Sequence, residues 1–126
     1  MKLNQVTVGA TDIPRAIEFY TRLGMTLIVE DGHYARFEMP AGDTFSVHQA
    51  DTISSATTVV YFEFADVDTA VKDAEARGIT FDTQPEDQSW LWREAYLSDP
   101  DGNRICFLQE SPNRRFPPWR VDGRTA

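Results

Sequence analysis

The chain has 126 residues, enough for one domain but not for two independent ones. Hydrophobic residues make up 41% and charged residues 25%, which excludes a disordered chain. A net charge of −8 excludes broad nucleic-acid binding, because contact with phosphates needs a basic surface. The sequence shows no membrane-spanning run and no signal-peptide pattern, and its single cysteine, Cys106, excludes an intrachain disulfide. We therefore expect a cytoplasmic protein without membrane contact.

The chain contains an internal repeat at an offset of 54 residues. Asp12 aligns with Asp66 and Gly24 with Gly78, without a gap between them. An aspartate can cap the start of a helix, and a glycine can end one. The sequence therefore predicts two similar modules in tandem.

Each module is predicted to contain a strand, a helix and three further strands. In the first module the strands are expected over residues 3–10, 25–30, 33–39 and 44–49, and the apolar helix face comprises Ile13, Ala16, Ile17, Tyr20 and Leu23. In the second module the strands are expected over residues 58–65, 80–83, 91–97 and 103–109. This order predicts an α+β fold: two βαβββ modules in tandem, whose curved mixed sheet forms a cup with the helices on its outer face.

The domain boundaries follow from the repeat. Residues 1–110 form a single domain, with module 1 at about 3–50 and module 2 at about 57–110. Residues 111–126 form a Pro/Arg-rich C-terminal tail with a net charge of +3, whereas residues 1–110 carry −11. The tail is either a strap packed on the acidic body or a contact for a partner.

Alternation along the strands predicts which side chains face the inside of the cup. Residues such as Val6, Phe45 and Phe62 should face the helices, so their neighbours along each strand should face inward. The inward set is polar for the most part: Gln5, Thr7, Tyr34, Arg36, Ser46, His48, Val59, Tyr61, Glu63, Glu94, Tyr96, Cys106 and Leu108. An ion pair between Arg36 and Glu63 or Glu94 would satisfy part of this set.

Three stretches carry a family pattern: Thr11 to Gly24 with its helix and final Leu-Gly, the Asp66-Val67-Asp68 opening of the second helix, and Asp99-Pro100-Asp101-Gly102-Asn103 before the last strand. They resemble the vicinal oxygen chelate superfamily, which includes glyoxalase I, extradiol dioxygenases, fosfomycin-resistance enzymes and bleomycin-resistance proteins. The resemblance covers about residues 3–110. It implies the fold predicted above, and it implies a homodimer whose cups are sometimes built from two chains.

The resemblance also implies where metal ligands would lie in the metal-dependent members. The four places correspond here to Gln5, to Ser46 or His48, to Val59 and to Cys106. Val59 cannot bind a metal, and a hard cation prefers oxygen and imidazole ligands. We therefore expect no cofactor. The alternative is a divalent metal held by Gln5, His48 and Cys106, with Glu63 replacing the missing ligand.

The candidate site residues fall into two groups. Residues expected to bind a ligand are Gln5, Tyr34, Arg36, Tyr61, Trp90, Trp92, Tyr96 and Cys106, and the candidate catalytic residues are His48, Glu63 and Glu94. Arginine suits an oxyanion, and histidine titrates near neutral pH. The indoles of Trp90 and Trp92, expected on one strand face with Glu94, would stack on a ligand or contact a second subunit or the tail. Residues 84–89 are expected to form a polar loop that could gate the site.

Three functions are compatible with these residues. The first is a small-molecule binding protein of the glyoxalase/bleomycin-resistance type, with a degenerate metal site and an aromatic or oxyanion-bearing ligand in the cup. The second is a glyoxalase-like lyase or isomerase, or a dioxygenase, with an atypical divalent-metal site. The third is an interaction module in which the cup is self-satisfied and the tail binds a partner.

Overall fold

The computed structural model describes residues 3–54 and 58–121. Its elements follow the predicted order: β1 (Gln5–Ala10), α1 (Ile13–Leu23), β2 (Thr26–Glu30), β3 (Tyr34–Glu38), β4 (Thr44–Gln49), β5 (Val59–Phe64), α2 (Val67–Ala76), β6 (Glu86–Asp87), β7 (Arg93–Ser98) and β8 (Arg104–Gln109). A short 3₁₀ turn, Pro112–Arg114, follows in the tail. Within the described ranges, neither helix has the length and apolar character needed to cross a membrane.

Each module folds into its own four-stranded mixed sheet. The strand orders are β1-β4-β3-β2 and β5-β8-β7-β6, with β1 parallel to β4 and β5 parallel to β8. The predicted α+β fold of two tandem βαβββ modules is confirmed. The mixed sheet of the cup consists of two halves, because β1 and β5 are both edge strands in the described chain.

Both helices begin and end as the repeat predicts. The Asp12 carboxylate accepts a hydrogen bond from the backbone N–H of Arg15 at 3.0 Å, and the Asp66 carboxylate accepts one from that of Thr69 at 3.1 Å. Gly24 ends α1 with a φ of 118°, a left-handed conformation that favours glycine. The pairing of residues at the 54-residue offset therefore reflects shared backbone geometry.

One predicted strand is wrong. Residues 80–83 form no strand, and β6 instead comprises Glu86 and Asp87, inside the segment expected to be a loop. The backbone N–H groups of Asp82 and Thr83 both donate to the carbonyl oxygen of Tyr96, at 2.8 and 3.2 Å. Two consecutive donors on one acceptor turn the chain and cannot form a ladder, so pairing with β7 begins only after this point.

The two modules share one apolar core between the helices and the sheets. The helix-facing residues expected from alternation are buried there, among them Phe37, Phe45, Val47, Leu97 and Ile105. The core is continuous across the modules, because the Phe45 and Phe62 rings lie 5.8 Å apart. Alternation therefore predicted the helix-facing side of each sheet correctly.

At one end of the molecule the β7–β8 turn fastens module 2 onto module 1. The Asp101 carboxylate accepts hydrogen bonds from the backbone of Thr11 at 3.1 Å and from the Arg15 guanidinium at 3.0 Å. The Asn103 amide donates to the carbonyl of Gly9 at 2.8 Å. We call these contacts the clasp. Beside the clasp, burial and the adjacent Asp99 carboxylate raise the pKa of Tyr20, whose hydroxyl donates to Asp99.

Module 1 has the same turn without the clasp residues. Its β3–β4 turn contains Pro40 and Gly42, as the β7–β8 turn contains Pro100 and Gly102. The backbone bonds correspond: Met39 N to Asp43 O is 3.0 Å, and Asp99 N to Asn103 O is 2.9 Å. Where the clasp has Asp101, Thr11 and Arg15, the equivalent places hold Ala41, Ala65 and Thr69. These residues cannot form the same ion pair, so this end has no second clasp, and Arg77 joins the modules there through the carbonyl oxygens of Arg22 and Leu23.

Candidate functional site

The inward face of the first sheet carries a hydrogen-bonded polar chain. The Tyr34 hydroxyl accepts hydrogen bonds from the Gln5 amide at 3.2 Å and from Arg36 Nε at 2.9 Å. The Gln5 carbonyl oxygen accepts a hydrogen bond from Thr44 at 3.1 Å. Hydrogen bonding with Ser46, and then with Arg36 and Gln5, lowers the pKa of Tyr34 below its usual 10.0. These residues hold one another in place.

Ser46 and His48 occupy very different environments. Ser46 is buried, and its hydroxyl lies 2.6 Å from that of Thr7. His48 is exposed, and its Nδ1 lies 3.0 Å from the carbonyl oxygen of Gln49. In the β1–β4 ladder Gln5 lies opposite Thr44, whereas His48 lies opposite Gly9, four residues further on. Four residues of strand span roughly 13 Å, so the ladder does not bring Gln5 and His48 together.

The inward face of the second sheet contains a buried carboxylate. Glu94 is 1% exposed, and it accepts a hydrogen bond from the Tyr96 hydroxyl at 3.0 Å. The Cys106 sulfur lies 3.7 Å from the other oxygen of Glu94. Burial and the Glu94 charge raise the pKa of the Cys106 thiol to about 12. Burial and the hydrogen bond to Glu94 also raise the pKa of Tyr96. At neutral pH both groups therefore keep their protons.

Both tryptophans precede β7, and only Trp90 is separated from it by a break in the extended backbone. β7 begins at Arg93, and Trp90 lies in the turn before it, where Leu91 has a φ of 69°. This left-handed residue removes Trp90 from the alternation on which the expected shared face depended, whereas Trp92 follows it and lies two residues before Glu94. Trp92 packs edge-on against Tyr61 with ring centroids 5.9 Å apart, whereas Trp90 is 45% exposed.

The carboxylates and His48 proposed as catalytic residues lie apart. Glu63 and Glu94 lie on opposite sides of Leu108 in the sheet, which is two strand spacings, or roughly 10 Å. His48 belongs to the other sheet. Among the described residues, Glu63 forms its ion pair with Arg114, at 3.8 Å, and neither Arg36 nor Glu94 takes part in one. The expected pair between Arg36 and a cup carboxylate is therefore absent from this part of the chain.

The donors present do not fit the divalent metal that the resemblance implies. The Gln5 oxygen is occupied by Thr44, the Cys106 thiol stays protonated, and Val59 has no donor. His48 lies four residues along the ladder from Gln5. Residues 3–54 and 58–121 contain no group of three His, Cys, Asp or Glu side chains arranged for a metal.

A groove of about 830 Å³ lies where the module interface lacks a second clasp. One wall is the β3–β4 turn with Ala41 and Asp43, and the opposite wall is the end of β5 with Glu63 and Ala65. Aromatic side chains also line it: Phe62 and Phe64 are half-buried, whereas Phe45 and Phe107 are almost fully buried. The groove therefore combines apolar side chains with several polar ones, and its volume lies in the range of small-molecule sites.

Several of the candidate site residues predicted from the sequence lie in or next to the groove. Gln5, Tyr61 and Glu63 line it, and Tyr34, Trp92 and Arg36 connect to it through contacts with Gln5, Tyr61 and Tyr34, respectively. Sequence reasoning did not predict that the β3–β4 turn forms a wall of the groove. The signal that could have indicated this turn is the match of its Pro40 and Gly42 with Pro100 and Gly102 of the β7–β8 turn.

The fold and the groove are those of a protein built from two tandem βαβββ modules. Similarity to known proteins identifies the family. The family model for the Glyoxalase/Bleomycin resistance protein/Dioxygenase superfamily matches residues 2–107, so the chain belongs to this superfamily. An uncharacterized protein of Mycolicibacterium smegmatis is 30% identical over 115 residues, which cover 90% of this chain and 97% of that one.

Solved structures show the same architecture. A glyoxalase/bleomycin resistance protein/dioxygenase from Nocardioides has a TM-score of 0.78 and 25% identity, with 97% of this chain and 90% of that chain covered. A bleomycin-binding protein complexed with bleomycin has a TM-score of 0.73 and 18% identity, with 88% and 100% covered. The second likeness concerns the fold alone.

Proposed function

We propose that this protein binds a small organic molecule with an aromatic or oxyanion-bearing group, without a metal ion. The observation that carries the proposal is the groove between the modules, in which the half-buried Phe62 and Phe64 lie beside exposed polar side chains. Burial of an aromatic ring there supplies affinity, at about 25 cal/mol per Å² of apolar surface removed from water. The bleomycin complex of a structural relative supports this class of function.

The polar chain behind Gln5 gives the site a fixed shape. Gln5 reaches the groove, and its amide is held by Tyr34 and Thr44. On the other module Tyr61 is braced by Trp92. Side chains that are fixed before binding lose less conformational entropy when the ligand arrives. Trp92 also supplies a fluorescence signal next to the site.

A neutral aromatic probe tests the proposal without involving charge. We expect 1-naphthol to bind in a saturable way, measured by calorimetry and by tryptophan fluorescence, with and without a chelator. The variant Ala41→Trp places an indole in the groove wall and should weaken binding at least about tenfold, equivalent to about 1.4 kcal/mol. Thr52→Trp adds the same ring beyond the other end of β4 and serves as the control.

Three results would contradict the proposal: no saturable binding, equal loss in both variants, or binding that disappears with chelator. The last result would favour a metal site in spite of the donor geometry. Both variants should keep the far-ultraviolet circular dichroism of the parent protein, since positions 41 and 52 are exposed.

The homodimer and the cytoplasmic setting expected from the sequence remain part of this proposal. Trp90 and Leu91, each 45% exposed in one turn, supply an apolar surface for a second subunit. Light scattering during size-exclusion chromatography measures the assembly directly. A monomer at all accessible concentrations would remove the dimer from the proposal.

A further inference from the structure

The rim of the groove carries acidic side chains from three places in the fold. Asp43 lies in the β3–β4 turn, Glu63 lies in β5, and Glu110 follows β8 directly. All three residues are exposed, so their carboxylates are in contact with solvent. Charges that converge on a cleft with apolar walls create a stronger local potential than the same charges on a convex surface.

The basic residue that lines the groove, Arg77, is already engaged. Its Nε donates to the carbonyl oxygen of Arg22 at 2.6 Å, and its Nη2 donates to that of Leu23 at 3.3 Å. The Arg77 guanidinium therefore binds the carboxyl end of α1, where a positive charge is favourable. Arg36 does not line the groove, and its Nε donates to the Tyr34 hydroxyl.

The tail shows which kind of group this rim attracts. Arg114 places its Nε 3.8 Å from the Glu63 carboxylate, with both side chains partly exposed. The residues that follow are aromatic and basic as well, since the guanidinium carbons of Arg115 and Arg120 lie 5.2 and 4.7 Å from the Phe116 ring centroid. One guanidinium of the tail, that of Arg114, thus lies beside the acidic rim, in a segment rich in basic and aromatic residues.

We propose that the ligand of the groove is an aromatic cation rather than an oxyanion. This inference rests on the proposed function and specifies its ligand class. The ring packs on the half-buried Phe62 and Phe64 side chains, and an ammonium or guanidinium group meets the carboxylates of Asp43, Glu63 and Glu110. A carboxylate on the same ring would meet three like charges and no free guanidinium among the lining residues.

Two probes with the same ring system test the charge preference. We titrate the protein at pH 7 with 1-naphthylmethylamine, which is protonated, and with 1-naphthylacetate, and measure both affinities by calorimetry. The amine should bind at least about tenfold more tightly, because the three carboxylates attract the ammonium group and repel the carboxylate of the acetate, and both effects widen the ratio.

Matched charge variants locate the origin of the preference. The triple variant Asp43→Asn, Glu63→Gln, Glu110→Gln should reduce the ratio of the two affinities to about threefold or less. The control triple Glu18→Gln, Glu30→Gln, Glu38→Gln makes the same change in net charge at exposed positions that do not line the groove. The control should keep the ratio of the parent protein.

The inference is overturned by equal affinities, by tighter binding of the acetate, or by a ratio that both triple variants change alike. In the last case the net charge of the protein, not the rim, would set the preference. Binding of 1-naphthol distinguishes failure of the ligand class from failure of the proposed function. If naphthol binds but the amine and the acetate bind equally well, only the proposed ligand class is wrong. If naphthol fails to bind, the proposed function and the ligand class fall together.

Discussion

The surroundings of Cys106 decide between the roles that the sequence allows for it. These roles are contact with a bound small molecule, coordination of a metal, and packing as a small buried side chain. In the structure it is fully buried beside Glu94, and both burial and that charge oppose ionisation. A thiol that keeps its proton is a poor nucleophile and a poor metal ligand, so its surroundings favour packing over chemistry.

The raised pKa of Cys106 predicts a loss of stability in alkali. The folded protein holds the thiol proton more tightly than the unfolded chain, so this stabilisation is complete below a pH of about 9 and is lost as pH rises toward about 12. Each such group contributes a slope of up to about 1.4 kcal/mol per pH unit. Urea unfolding between pH 8 and 10.5 should show the free energy of unfolding falling with pH.

The variant Cys106→Ala provides the control for that slope. Its baseline stability will differ, so the comparison concerns the slope alone. We expect a shallower fall, with a remainder from Tyr20 and Tyr96, whose pKa values are raised as well. An identical slope in the parent and the variant would show that Cys106 is not the titrating group.

Sequence reasoning predicted correctly to which side of the sheet a side chain points. It did not predict how far apart two residues on different strands lie. Alternation identified Phe45 and Val47 as core residues because facing depends only on position within a strand. The relation between Gln5 and His48 depends on the register of two strands separated by about 40 residues, which one sequence does not reveal. Trp90 was misplaced because a left-handed Leu91 cannot be read from residue type.

At the scale of elements, the two equivalent turns have opposite roles. The β7–β8 turn is part of the clasp, and the β3–β4 turn is a wall of the groove, although their backbone hydrogen bonds correspond. The difference lies in side chains such as Asp101 and Ala41, not in the backbone. The same element thus fastens the modules at one end and borders an open groove at the other.

Removal of the clasp carboxylate should destabilise the protein strongly. Asp101→Ala removes the acceptor of the Thr11 N–H and one of the two acceptors of the Arg15 guanidinium, and the Asp101 side chain is only 3% exposed. We expect a loss of about 2–4 kcal/mol in the free energy of unfolding, measured with urea. Asp43→Ala in the equivalent turn is the control, expected to stay within about 0.5 kcal/mol because Asp43 is exposed. Similar losses in both variants would contradict the clasp.

Element prediction succeeded where short-range signals dominate. The capping aspartates and terminating glycines lie within one turn of the helices that they delimit. The predicted strand at 80–83 failed because its donors share the carbonyl of Tyr96, a contact made 14 residues later in the chain. The strand propensity of four residues gives no information about a hydrogen-bond partner that lies so far along the chain.

At the scale of the whole molecule, we expect the tail to contribute little to the stability of residues 1–110. Its ion pair with the body, Arg114 to Glu63, joins side chains that are 46% and 39% exposed. Exposed pairs of this kind contribute about 0–1 kcal/mol. The sequence is compatible with either a strap or a partner contact for residues 111–126, and this exposed ion pair favours a segment that is easily displaced.

Truncation after Glu110 measures that contribution. We expect the free energy of unfolding to change by less than about 1 kcal/mol, and the affinity for 1-naphthylmethylamine to rise or stay equal once Arg114 no longer competes for Glu63. A truncated chain that fails to fold would instead show that the tail is a structural strap.

Two different kinds of polar contact join the modules at the two ends of their interface. The clasp uses the nearly buried side chains of Asp101 and Asn103, whereas Arg77 reaches the end of α1 from an exposed position beside the groove. Hydrogen bonds exposed to solvent open more readily than buried ones, so local opening between the modules is expected to begin at the groove end. Amide hydrogen exchange at the two ends would measure this difference in local stability.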